Sequence, residues 1–232
     1  MALVKCVTFD LDNTLVDTLN YSKNSKKYVI RSLNGELSRK YDGNAFSDIY
    51  DTFYGIVERF GPNYGYHIDQ LLMGYGLDPV ENHALVEYAV RKHHEFRDKH
   101  FKPFNRAVET LERLKSRGIV IGLITNGRSD KQRDKLKYLG MEKYFDFVVV
   151  SEDEEVKNAK PHTRIFQRAL EKARETGPYK DLLPEECVHV GDKPVEDVLG
   201  PKKSGWGRAI RVLTPAYRHL KSRSLEEIPE VS

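Results

Sequence analysis

Two carboxylates two positions apart, Asp10 and Asp12, lie in the turn Asp10-Leu11-Asp12-Asn13-Thr14-Leu15, directly after the run Leu3-Val4-Lys5-Cys6-Val7-Thr8-Phe9. At the end of a strand such a pair can act on one substrate atom, one acid attacking as a nucleophile while the other handles a proton. Asp and Asn also cap helices and bond to turn backbone, so the turn alone has a purely structural alternative. Further polar groups stand at Thr125-Asn126-Gly127, at Lys160-Pro161, and at Gly191-Asp192 with Asp197. Singly, these read as turn and cap sequence, a solvated loop lysine, and caps of a following helix. Together they form a chemically complete set. An aspartate attacking a phosphate monoester must overcome repulsion between anions, which hard Mg²⁺ on carboxylate and carbonyl oxygen relieves. Asp10, Asp192 and a backbone carbonyl can supply that site, while a threonine hydroxyl, helix-start N–H groups and a lysine ammonium can hold phosphoryl oxygens.

The elements that must position these groups show two textures. From residue 103 onward, apolar runs alternate with amphipathic ones. Residues 119–124, 147–150, 187–190 and 209–212 read as strands, and Ala107, Leu111 and Leu114, then Ile165, Phe166, Ala169, Leu170 and Ala173, follow helical spacing. That alternation predicts an α/β fold, a doubly wound parallel sheet covered on both faces, with ligands at the carboxyl ends of its strands. Residues 17–100 hold no buried strand and show helix-like stretches near 17–33, 43–60, 66–73 and 80–99. Asp78-Pro79 reads as the start of the last of these, and Gly61-Pro62-Asn63 and Gly74-Tyr75-Gly76 as breaks. The expected organisation is a discontinuous catalytic core of residues 1–16 and 101–232 with a helical domain of residues 17–100 inserted.

Composition narrows the function classes. Hydrophobic residues at 39% and charged residues at 31% fit a globular protein with a highly charged surface. No apolar run reaches the roughly 18–20 residues that cross a bilayer, and the start lacks the regions of a signal peptide, so a cytoplasmic protein without a membrane partner is expected. Thirty-eight basic against 35 acidic residues is too balanced for a nucleic-acid binder. The basic run Arg128–Lys137 also holds Asp130 and Asp134 and reads as a solvated helix face. High charge with few Gln and Cys leans towards a thermophilic source. Cys6 and Cys187 read as buried thiols, with a disulfide left open should their strands be neighbours. His93, His94 and His100 lack zinc-ligand spacing and read as surface residues.

In these residues the chain resembles the haloacid dehalogenase (HAD) superfamily of hydrolases, in the branch with a helical cap inserted just after the first strand. It is similar in all four motifs, in order: the acidic turn at Asp10, Thr125-Asn126-Gly127, Lys160-Pro161, and Gly191-Asp192 followed by Asp197. Leu139-Gly140, Phe145-Asp146, Ser151-Glu152 and Ile165-Phe166 also fit, whereas the cap is matched by architecture alone. The resemblance implies a Rossmann-like core with Asp10 as the nucleophile that forms an aspartyl-phosphate and Asp12 as general acid/base. Thr125 and Lys160 would bind the phosphoryl group, with Asn126 assisting through its backbone. Asp10, the Asp12 carbonyl and Asp192 would hold Mg²⁺, and Asp197 would orient metal water or Lys160. The chain departs from the pattern at Lys193, where the family often has a small polar residue, and in the charged stretch 152–158, where Lys157 rivals Lys160.

Asp12 separates the family's chemistries. Displacing halide needs no proton, whereas displacing an alkoxide does, so an acid at this position favours phosphatase over 2-haloacid dehalogenase. A phosphomutase shares the aspartyl-phosphate and stands as the alternative. A binding protein that had lost catalysis would lack one of the acids or Lys160, and none is missing. The expected activity is Mg²⁺-dependent hydrolysis of a small phosphorylated metabolite, since a closing cap excludes bulk water and polymers. Sugar or triose phosphates such as glyceraldehyde 3-phosphate, and phosphoglycolate, are the family-level candidates. Tyr21, Arg31, Tyr54, Arg59 and Tyr64 are the cap side chains suited to face substrate.

Overall fold

A computed structural model describes residues 3–41, 43–61 and 65–213 of the chain. Strands β1 (Cys6–Phe9), β2 (Val120–Thr125), β3 (Phe147–Val150), β4 (Cys187–Gly191) and β5 (Arg208–Arg211) form one sheet in the order β3-β2-β1-β4-β5. Every pairing is parallel. The expected α/β parallel sheet is thus the observed architecture. β1 and β2 are buried along their length and β4 nearly so, which explains why all three read as largely apolar runs. β5 is different: as an edge strand it alternates between exposed and half-buried residues, and Ile210 faces outward.

The connections α5 (Ala107–Lys115), α6 (Ser129–Tyr138), α7 (Thr163–Thr176) and α8 (Gly200–Lys203) run between the strands. α7 buries Ile165, Phe166, Ala169 and Ala173 on one face, in the same cluster as Val120 and Phe147. Full burial of each larger side chain contributes about 1.5–3 kcal/mol, so this stripe anchors the loop that precedes α7. Cys6 and Cys187 are register partners on β1 and β4, and both are buried free thiols. Hydrogen bonding to Cys187 and burial push the Cys6 thiol up, which keeps it protonated and unreactive.

The described chain divides into two compact units, one holding the sheet and running to Leu19 and onward from Lys102, the other comprising Asn20–Phe101. The second is helical: α1 (Thr18–Lys40) leads into it, followed by a 3₁₀ turn at Gly43–Phe46, α2 (Ile49–Phe60), α3 (His67–Gly74) and α4 (His83–His100). α1 runs to Lys40 rather than to residue 33, because Leu37 extends the buried stripe of Val29 and Leu33 by one more turn. α4 starts at His83 rather than near Asp78. The Asp78 carboxylate accepts the Val80 and Glu81 N–H groups at 2.7 and 3.3 Å and closes a turn of its own. This unit has its own core of Ile30, Leu33, Leu37, Ile49, Leu71 and Leu72. A cleft of about 350 Å³ lies among its helices, walled in part by Tyr21, Ser25, Lys26, His67 and His93. Of the side chains expected to face substrate, Tyr21 lines this cleft and Arg31, Tyr54 and Arg59 do not. Tyr64 and the Pro62-Asn63 turn lie outside the described residues. Among the described residues no helix is long and apolar enough to cross a membrane.

Candidate active site

The Asp10 N–H donates to the Val190 carbonyl at 2.9 Å, extending the β1–β4 ladder one residue past β1. The first acid therefore leaves the sheet at its carboxyl edge. Leu11 and Leu15 are buried, and the Leu11 carbonyl accepts from the N–H groups of Leu15 and Val16 at 3.0 and 3.2 Å. Asn13 takes the left-handed conformation at φ 63°, which Asn tolerates better than most residues, and its side chain accepts the Leu19 N–H at 2.9 Å. Apolar anchors on either side thus hold both acids in a fixed turn.

Asp10 stands in a buried ionic cluster. Lys160, with its side chain wholly buried, donates from Nζ to Asp10 Oδ1 at 2.8 Å and to Asp197 Oδ1 at 2.6 Å. Burial first, and then the Asp197 and Asp12 charges, push Asp10 up to about 7 against the opposing pull of Lys160. Lys160 is raised: burial disfavours its charge, and the two aspartates outweigh that. Asp197 is lowered, since a hydrogen bond from His189 and the Lys160 charge overcome the cost of burial. Its other oxygen accepts the Lys193 N–H at 2.9 Å. Gly191 is what lets this carboxylate lie against the end of β4, because a Cβ there would stand 2.2 Å from Asp197 Cγ.

His189, one strand layer behind, is fully buried and is pushed down to about 4 by burial and the nearby Lys160 charge, against the pull of Asp197. Between the ordinary value of 6.5 and about 4 the unfolded chain protonates this imidazole and the folded chain does not. Stability is therefore lost as pH falls through that window, by up to about 3 kcal/mol. Asp10 acts in the opposite sense. Its raised pKa adds stability to the metal-free fold as pH falls from about 7 towards 3.8. Thermal melts of wild type and His189→Gln across this range separate the two groups. The variant is expected to lack the acid-side loss, and parallel curves would exclude His189 as its source.

Asp12 has a separate set of partners. Lys135 Nζ reaches both of its oxygens at 2.7 Å, Thr18 donates its hydroxyl to Oδ1 at 2.5 Å, and Gln132 donates its amide to Oδ2 at 3.0 Å. Burial alone would raise the Asp12 pKa; Lys135 and these hydrogen bonds reverse that and hold it below the usual carboxylate range. Lys135 and Gln132 belong to the basic run that reads as a solvated helix face. The structure corrects that reading for these two residues, whose side chains turn to the acid. Only the pairing itself shows this, since the local sequence around them is charged throughout.

The remaining expected residues cluster at the same edge of the sheet. Thr125 ends β2 and is buried. Asn126 joins two loops: its Oδ1 accepts the Lys160 N–H at 2.8 Å, and its Nδ2 donates to the Lys160 carbonyl at 3.1 Å. Nδ2 also donates to Glu196 at 2.9 Å, and Glu196 in turn pairs with Lys193 at 3.0 Å. The extra charge at Lys193 is therefore compensated locally. Lys157 is a surface residue paired with Glu154 at 2.6 Å and takes no part in the cluster. His93 bonds Ser25 at 3.0 Å within the helical unit.

Oxygens of Asp10, Asp192 and Asp197 lie within 4.8 Å of one another, and all three residues are buried. Three carboxylates beside one ammonium leave an excess of negative charge on hard oxygen atoms, and that donor chemistry fits a hard divalent cation. Asp197 already accepts from three donors, Lys160, His189 and the Lys193 N–H, which disfavours it as a ligand relative to Asp10 and Asp192.

The family model of haloacid dehalogenase-like hydrolases matches residues 4–205. The chain belongs to this family. Among curated relatives of this HAD hydrolase, a glyceraldehyde 3-phosphate phosphatase of Methanopyrus kandleri is 30% identical, over 98% of this chain and 92% of the relative. The enzyme of the same name from Methanothermobacter thermautotrophicus is 34% identical, over 97% and 94%. A solved HAD phosphatase of Thermococcus onnurineus superposes with a TM-score of 0.51 at 26% identity, covering 88% of this chain and 85% of that one. Family and relatives together make this HAD hydrolase a phosphatase of small phosphorylated metabolites.

Proposed function

We propose that the enzyme hydrolyses glyceraldehyde 3-phosphate, or a closely related triose or sugar phosphate, through an aspartyl-phosphate formed on Asp10. The observation that carries this reading is the pair of acids on one turn with separate cations, Lys160 on Asp10 and Lys135 on Asp12. One carboxylate is placed to attack and the other to exchange a proton, and an alkoxide leaving group needs both. The substrate in the relatives' names supports the choice of triose phosphate.

In this reading an Asp10 oxygen attacks phosphorus and the bond to the leaving alkoxide breaks, while Asp12, ionised at rest beside Lys135, first takes up a proton from solvent and then supplies it to the alkoxide. Asp12 then takes a proton from the water that attacks the same phosphorus, and phosphate leaves as Asp10 is regenerated. Lys160 and the Thr125 hydroxyl hold phosphoryl oxygens, and Asn126 fixes the Lys160 backbone so that the ammonium arrives in place. Asp10, Asp192 and the Asp12 carbonyl would hold Mg²⁺, which when bound offsets the repulsion between carboxylate and phosphoryl anions. Residues 17–100 serve as the cap that selects substrate. The location is cytoplasmic. The surface network of Glu155 with Arg168 and Lys172, and of Arg168 with Glu171 and Glu175, supports a thermophilic source.

A screen of phosphorylated metabolites with and without EDTA tests this directly. Phosphate release from glyceraldehyde 3-phosphate or phosphoglycolate is expected, abolished by chelation and restored by Mg²⁺. Turnover indifferent to EDTA would remove the metal-dependent mechanism, and phosphate moved within the substrate rather than released would make the enzyme a mutase.

A further inference from the structure

Behind the Lys160–Asp197 pair lies a polar layer that phosphoryl binding does not itself require. His189 is fully buried on β4, with Nε2 at 3.1 Å from Asp197 Oδ1 and Nδ1 at 2.8 Å from the Thr8 hydroxyl on β1. A carboxylate offers acceptors only, so the hydrogen sits on Nε2; Nδ1 is then a bare lone pair and accepts from Thr8. The other acceptor near that hydroxyl, the Val188 carbonyl, is farther away at 3.4 Å. Phe166 and Trp206 stand edge-on to the imidazole, with centroids at 5.5 and 6.3 Å, and wall off this side. A branched apolar residue would suit the interior of a central strand at lower desolvation cost. What the imidazole adds is a neutral donor on the one Asp197 oxygen that also takes Lys160.

We propose that His189, its hydrogen held on Nε2 by Asp197 and its Nδ1 seated by the Thr8 hydroxyl, is a positioning residue for the phosphoryl-binding lysine; the inference rests on the phosphatase reading above. Asp197 Oδ1 shares its accepting capacity between the imidazole N–H and the ammonium, so Lys160 stays bridged to Asp10. Without that N–H, Oδ1 holds Lys160 alone and draws it away from Asp10 and the phosphoryl oxygens. A displacement of this kind weakens the transition state more than ground-state binding, so the loss falls on kcat.

Nitrogen NMR of the ¹⁵N-labelled wild-type chain tests the tautomer without any substitution. The neutral ring with hydrogen on Nε2 is expected, and hydrogen on Nδ1 or a cationic ring near neutral pH would overturn the proposal. In phosphate-release kinetics His189→Leu is expected to lower kcat about tenfold or more with KM within about twofold. His189→Gln, whose amide N–H can reach the same Asp197 oxygen, should recover most of that loss. Full kcat in the Leu variant, or equal losses in Leu and Gln, would overturn it. Should His189→Leu fail to fold, Thr8→Val removes the hydroxyl that seats Nδ1 and orients the ring. It should lower kcat several-fold by loosening the ring, and unchanged kcat would again overturn the proposal. An inactive wild type would defeat the functional reading itself, whereas an active enzyme with the other tautomer defeats this inference alone.

Discussion

Asp10→Asn is expected to lower kcat by at least about 10⁴-fold, because a carboxamide oxygen is a poor nucleophile and the proposed covalent step has no other carrier in the turn. The same change should leave the metal-free protein at least as stable as wild type. It removes a buried charge that burial and the Asp197 carboxylate already disfavour. Phosphate-release assays and thermal melts on one preparation check both halves. A variant within about tenfold of wild-type kcat would place the covalent step elsewhere.

Lys160→Met is expected to cost both activity and stability. The ammonium is the shared counter-charge of Asp10 and Asp197, at 2.8 and 2.6 Å, and its side chain is wholly buried. Removing it leaves two buried carboxylates without their common partner, at a cost of about 3–5 kcal/mol. Turnover should fall by about 10²–10³-fold from lost stabilisation of the phosphoryl oxygens. Urea denaturation at pH 8, where both acids are ionised when paired, measures the first effect. A loss below about 1 kcal/mol would mean that the acids are not held as a mutually repelling pair. The two variants therefore have opposite signatures: one loses chemistry and keeps the fold, the other loses both.

The sheet was legible because parallel strands buried on both faces write continuous apolar runs, as in Val120–Thr125 and Phe147–Val150. Polar residues interrupting those runs at one end were legible for the same reason, and that is how Asp10, Thr125 and Asp192 stand out. β5 was harder to read: Ala209-Ile210-Arg211-Val212 suggests a buried strand, yet its edge position leaves it half exposed. The ends of α1 and α4 depended on packing and on one side-chain turn at Asp78, neither of which periodicity records. The partners of Asp12 were invisible for another reason. Lys135 and Gln132 are separated from it by more than a hundred residues and lie among like residues facing solvent. His189 was hidden inside Cys187-Val188-His189-Val190, where one histidine looks like a tolerated core residue until its two ring nitrogens are given partners.

The attachment of Asp12 to α6, rather than to the loop that serves Asp10, gives the two acids different cations. Asp10, the proposed nucleophile, answers to Lys160 on the segment before α7, while Asp12, the proposed proton carrier, answers to Lys135 and Gln132 on a different helix. Acidity at Asp12 can therefore be retuned to the basicity of a new leaving group by substitution at Lys135, whereas Gln132 also donates to the Asn126 carbonyl and so touches the loop that seats Lys160. Neighbours on one turn are thus steered from separate elements without being insulated, since the Asp12 charge still raises Asp10.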